Sequence, residues 1–135
     1  MRLTLRVYQD GDEAAVAARA DFAEAFAAQG RLPDGRKWTL VSDGRVVGVA
    51  GLEPLGDGCW GAWAYLAELS PRQWVIAVYL ARSVLVSMWA GLRARCIQAV
   101  PAEHPGAARV LAAMGFRAGA HPRLFVMGDE AWSRP

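Results

Sequence analysis

Leu3, Leu5 and Val7 alternate with Arg2, Thr4 and Arg6 at the start of the chain. This is the period of two that buries one face of a strand and wets the other. Asp10-x-x-Glu13 then reads as a capping box, which opens a helix by satisfying its first backbone N–H groups with side chains. The Ala-rich stretch behind it places Phe22 and Phe26 four apart on one helical face and runs to Gly30, where a left-handed stop suits glycine. "RLPDG" breaks the pattern as a loop. "KWTLVS" and "RVVGVAGL" flank Asp43-Gly44, a hairpin dipeptide because both turn positions need positive φ. "EPLGDG" closes that second strand, and "CWGAWAYLAEL", apolar on both faces, reads as a central strand.

Ser70-Pro71-Arg72-Gln73 opens the next helix with a serine cap, a proline at the first helical position and a glutamine that completes the box. The helix runs to Gly91, about 30 Å at 1.5 Å per residue. It is the most apolar stretch of the chain, yet Arg82, Ser83 and Ser87 interrupt it, and an arginine at mid-span makes a buried helix the better reading than a membrane span. "RCIQAV" is a further strand, "HPGAARVLAAM" a short helix and "RLFVM" a last strand. The order β-α-β-β-β-α-β-α-β predicts an α/β (α+β) architecture: a mixed sheet, mostly antiparallel, with helices on both faces. "AWAYLAEL", the long helix and "RCIQAV" form a right-handed crossover, so their two strands are expected to be a central parallel pair. The carboxyl ends of such strands, beside a helix N-terminus, are where open α/β sheets bind ligands.

A chain of 135 residues with 54% hydrophobic composition is expected to fold as one domain over 1–135. A formal net charge of +2 and basic residues without a run argue against a nucleic-acid interface. Cys59 and Cys96 lack metal-ligand spacing and the density of a disulfide scaffold, so no metal site is expected and both thiols are expected to be reduced and buried. "MRLTLRVYQDGDE" contains no apolar run of signal-peptide length, which points to the cytoplasm without membrane association. The long helix is apolar on nearly every face, from Trp74 and Val75 to Met88 and Trp89. Such a helix is normally covered all round, here by the sheet and by a second copy or another partner.

The order of elements resembles the fold of the GNAT (Gcn5-related N-acetyltransferase) superfamily, and three stretches carry the likeness. "SDGRVVGVAGL" resembles the family's second hairpin. "AEHPGAARVLAAMGF" resembles its last helix and the Gly-Phe that follows, with His104 in place of an asparagine, Ala107 matching, and Val110-Leu111 in place of a Leu-Tyr pair. Arg72-Gln73-Trp74-Val75-Ile76-Ala77 resembles the Arg/Gln-x-x-Gly-x-Gly/Ala turn that holds the pyrophosphate of acetyl-CoA; Arg72 and Ala77 fit, and Val75 stands where glycine is needed. The resemblance implies acetyl transfer from acetyl-CoA to a small-molecule or protein amine. Glu68 is then the base, with Glu53 as second choice, and Tyr79 is a proton donor because Leu111 occupies the usual tyrosine position. Leu66, Ala67, Arg72, Gln73, Ala77 and His104 lie along the cofactor. Serine and glutamine of the capping box compete for the N–H groups a phosphate would use.

Within the superfamily the chain resembles the small GNAT-like internal virion proteins of short-tailed phages, through the "LPDG" loop, the Cys59-Trp60 opening of the central strand and the aberrant pyrophosphate turn. This implies a phage or prophage protein of the host cytoplasm or the phage particle, with a virion partner. Two readings stay open: an acetyl-CoA-dependent N-acyltransferase, and a non-catalytic protein of the same fold kept for interaction, which Val75 and Leu111 suit better.

Overall fold

The computed structural model describes residues 2–99, 107–119 and 125–127. Its strands are β1 (Leu3–Val7), β2 (Arg36–Ser42), β3 (Arg45–Gly56), β4 (Cys59–Leu66), β5 (Cys96–Ala99), β6 (Arg117–Ala118) and β7 (Phe125–Met127), and its helices are α1 (Ala20–Gln29), α2 (Pro71–Gly91) and α3 (Ala107–Ala113). They form one sheet in the order β1-β2-β3-β4-β5-β7-β6. β4 and β5 are parallel and every other pairing is antiparallel, as the alternation of elements predicts. The two-residue β6 is the one addition; it pairs with β7 after Gly115 turns the chain at φ 105°.

The hairpins follow from local chemistry. Asp43 and Gly44 take φ of 50° and 82° between β2 and β3, the conformation that matches strand twist across a two-residue loop. Asp57 and Gly58 repeat it at 55° and 77° between β3 and β4. "EPLG" is therefore not loop, as its Pro and Gly suggest, but the end of a longer β3.

The first helix departs from expectation. Asp10 and Glu13 form no capping box: Asp12–Ala15 is a 3-10 turn, and α1 begins only at Ala20 with Arg19 as its N-cap. Glu13 instead accepts a hydrogen bond from the Tyr8 hydroxyl. The neighbouring Asp12 receives Arg6 Nη1 (2.8 Å) and Nη2 (3.0 Å), Thr39 Oγ1 (2.5 Å) and the Gln9 amide (2.9 Å). These bonds, Arg6's first, hold the Asp12 carboxyl well below the usual carboxylate range against the opposing effect of burial. The helix does end at Gly30, in the left-handed conformation.

Alternation along β4 divides the core between two layers. Leu66 faces α2 and clusters with Leu3, Leu40, Leu69, Trp74, Ile76 and Leu80. Tyr65 faces α1, where its ring meets Phe26 at 5.0 Å between centroids. Further along α2, Leu85 packs with Leu52, Ile97 and Phe116. The sheet covers α2 on one side only: Val75 (72%), Tyr79 (71%) and Val86 (46%) remain exposed. Among the described residues, α2 is the one helix long and apolar enough to cross a membrane by length and composition, with mean hydropathy 1.5.

The cysteines correct a further expectation. Cys59 and Cys96 are directly opposed across the parallel pair, 4.7 Å apart between Cα atoms, and form a disulfide instead of standing reduced. Their separation of 37 positions hid a pairing that only the β4–β5 register creates.

Candidate functional site

Among the described residues the parallel pair spans four positions. β4 and β5 are in register from Cys59↔Cys96 to Ala62↔Ala99, and β4 continues for four more residues, to Leu66. The Ala67 N–H donates to Val47 O on the β3 side (2.9 Å). Alternation therefore points the amides of Leu66 and Ala64 to the opposite edge, toward the space beyond the β5 pairing. On the α2 face Ala64 is exposed, although Ala62 on one side is half-buried and Leu66 on the other is buried. Solvent thus reaches Ala64 beneath α2, between the described β5 pairing and Leu66.

The far end of that edge is closed by the chain entering α1. Ala18 bridges Ala67, and the Arg19 N–H donates to Leu66 O at 2.8 Å. Arg19 then turns its guanidinium onto Asp21 (Nε–Oδ1 2.6 Å, Nη2–Oδ2 2.8 Å), 4.5 Å above the Phe22 ring and 5.8 Å from Trp74. Its side chain is 11% exposed. The ion pair, with Glu68 as a weaker neighbour, raises the pKa of Arg19, and Arg19 in turn lowers that of Asp21. Sequence reasoning missed this cluster, because nothing in "ARADF" marks an arginine that ties α1 to α2.

The N-terminus of α2 borders the same opening, and its donors are largely engaged. Ser70 Oγ accepts from the Gln73 N–H (3.2 Å), Gln73 Oε1 accepts from the Ser70 N–H (2.8 Å), and the Trp74 N–H donates to Ser70 O (2.9 Å). Pro71 has no N–H, so Arg72 supplies the one first-turn amide outside these bonds. The Gln73 amide nitrogen also donates to Ser42 Oγ at 3.2 Å. Both capping residues named from sequence thus do cap the helix.

The remaining predicted residues scatter around this frame. Glu68 is exposed at the mouth of the opening, near Arg19. Ala77 packs in the core under α2, and Arg72 is exposed. Tyr79 stands on the outer face of α2. Leu111 packs beside the core. His104 lies outside the described residues. Glu53 pairs with Gly61, seven residues before Glu68, which separates the two carboxylates by about 23 Å at 3.3 Å per residue. They cannot serve one reaction centre. Glu53 instead lines a shallow cavity of about 330 Å³ with Gln29, Arg31, Leu32, Pro33 and Asp34, and a neighbouring cavity of about 340 Å³ lies by Tyr8, Glu13, Phe26 and Lys37. The first lies at the opposite end of β4 from α2's first turn. Above them, the Trp63 Nε1 is buried without a hydrogen-bond partner among the described residues.

The sheet order and its parallel pair can be set beside solved structures. An aminoglycoside acetyltransferase, AAC(6')-Ib, in complex with coenzyme A superposes with a TM-score of 0.70 at 19% identity, covering 98% of both chains. The chain has the GNAT fold. An acetyltransferase of the GNAT family from Bacillus anthracis matches at 0.62 and 15% identity over 96% of each chain. A spermidine N-acetyltransferase SpeG chimera from Vibrio cholerae and hSSAT matches at 0.64 and 15%, over 99% of this chain and 100% of that one. No family model matches the sequence, and no curated protein matches it. The GNAT fold is therefore reached here through geometry, with little sequence identity to carry it.

Proposed function

We propose that this is a GNAT-fold, acyltransferase-like protein, working as a single domain, whose architecture supports acetyl transfer from acetyl-CoA to an amine of a small molecule or protein. One observation carries the reading: among the described residues β4 pairs with β5 as far as Ala62↔Ala99, its edge has passed to the Arg19 amide by Leu66, and Ala64 between the two lies exposed beneath α2. An extended acyl arm fits such an edge as an added strand does. Bound there, the cofactor would supply a carbonyl activated as a thioester. The chain's own contribution would be the Leu66 amide as a donor toward developing negative charge, and the exposed Glu68 carboxylate as acceptor of the amine's proton. Tyr79 stands on the outer face of α2, away from that edge, so the leaving thiolate would take its proton from water.

The diphosphate end fits less well. A phosphate cradle needs several free backbone N–H groups, and Arg72 alone offers one at α2's first turn, with the branched Val75 where glycine would bring backbone close. That observation favours a second reading, in which the fold persists without catalysis as a virion-associated or interaction component. The "LPDG" loop and Cys59-Trp60 support a phage or prophage source for either reading, with action in the host cytoplasm or the particle.

A thermal-shift titration with acetyl-CoA separates them. Ligand at 100 times its dissociation constant adds about 2.7 kcal/mol to the native state. A saturable rise, with free thiol released when an amine is present, supports the enzyme. A flat response up to millimolar ligand transfers the conclusion to the non-catalytic reading.

A further inference from the structure

Charge is divided along this chain in a way its near-neutral total conceals. Every Asp and Glu among the described residues precedes Ser70, whereas the described residues from Ser70 to Gly119 carry arginines and no carboxylate side chain. α2 and α3, the layer built from that second half, show Arg72, Arg82 and Arg109 to solvent. On the outer face of α2 the exposed apolar side chains Val75, Tyr79 and Val86 fall with Arg82 at spacings of four, seven and eleven. These spacings lie on one helical face, as a single row about 16 Å long at 1.5 Å per residue.

We propose that this row is a docking surface for an acidic amphipathic helix of a partner protein. Three observations select that occupant. An apolar row one residue wide, with anchors at helical spacing, is the shape that another helix covers by laying its own stripe along it. The arginines, with no carboxylate among the described residues of the layer, call for negative charge on the partner and would steer its approach. The same arginines disfavour a second copy, since two identical faces would bring like charges together. A bilayer is a poorer match, because Arg82, Ser83 and Ser87 break the exposed face and leave too little continuous apolar surface to enter the acyl boundary. The proposal does not rest on the catalytic reading, because the row lies on the outer face of α2 and the two positions tested, Arg82 and Val86, are about two turns or more beyond the first turn that Val75 borders.

The probe is a synthetic amphipathic peptide of about four helical turns, with leucines in one row and glutamates beside it, and a control peptide with lysines replacing the glutamates. Fluorescence anisotropy should show saturable binding of the acidic peptide that weakens as salt rises, and binding at least tenfold weaker to Val86→Glu and to Arg82→Glu. Both positions are exposed, and thermal melts verify that the variants remain folded. Equal binding of the lysine peptide, no binding of either, or binding indifferent to both substitutions overturns the proposal. So does attachment to anionic vesicles without peptide binding, or a dimer in sedimentation that Val86→Glu dissolves. The acetyl-CoA titration is read separately, so failure of one leaves the other standing.

Discussion

The Arg19 N–H donates to Leu66 O at 2.8 Å, on the edge of β4 that pairs with β5 further back along the strand. The same residue is the N-cap of α1, pairs with Asp21 and lays its guanidinium over the Phe22 and Trp74 rings, so one backbone bond and one guanidinium link the two helices across the strand end.

Two substitutions separate those contributions. Arg19 has φ −60°, which a proline ring accepts, so Arg19→Pro removes both side chain and donor while Arg19→Ala removes the side chain alone. Urea denaturation should find the proline variant less stable than the alanine variant by about 1 kcal/mol, the usual net value of such a bond. Equal midpoints would mean that the Leu66 bond contributes nothing.

Asp12 should govern the acid limb of stability. Its carboxyl is depressed when folded and ordinary, about 3.9, when unfolded. A depressed carboxyl contributes stability fully above the unfolded value, and that contribution disappears as pH falls through the folded one. Asp12→Asn should therefore cost about 1–3 kcal/mol at pH 7 and flatten the decline below about pH 4. Parallel pH profiles for the two proteins would refute this role.

The α2 terminus offers a test of the closed cap. Ser70→Ala should lower stability by about 1 kcal/mol while releasing the Gln73 amide. Val75→Gly should cost about 1 kcal/mol as an exposed helix position. Calorimetry on the double variant should then show stronger acetyl-CoA binding than wild type. Loss of stability without any gain in binding would make this turn ordinary helix.

The Cys59–Cys96 disulfide joins positions 37 apart, and closing such a loop stabilises by about 2–4 kcal/mol. Dithiothreitol, or Cys59→Ser with Cys96→Ser, should lower the melting temperature together. A melt indifferent to reductant, with two thiols titrating in denaturant, would count against the bond.

Local chemistry made much of the fold readable. Asp43-Gly44 and Ser70-x-x-Gln73 act through neighbours in sequence, and both behave as their patterns imply. Asp10-x-x-Glu13 has the same form as a capping box and fails, because Tyr8 captures Glu13 and Asp12 anchors to Arg6 and Thr39 before a helix begins. The Thr39 partner is 27 positions away and has no sequence signature. The site was legible only as a location. Leu66 and Ala67 were both placed along the cofactor, but strand alternation turns one amide to the open edge and the other into the sheet. Glu53 and Glu68 looked interchangeable until register set them far apart.

The position of the disulfide has a mechanical consequence. β1–β4 and β5–β7–β6 are two leaves of one sheet, joined by the β4–β5 pair and riveted by sulfur where that pair begins, at Cys59 and Cys96. A covalent rivet at one end resists spreading most where it sits, so any swing of the leaves pivots about the cysteines and is felt least there.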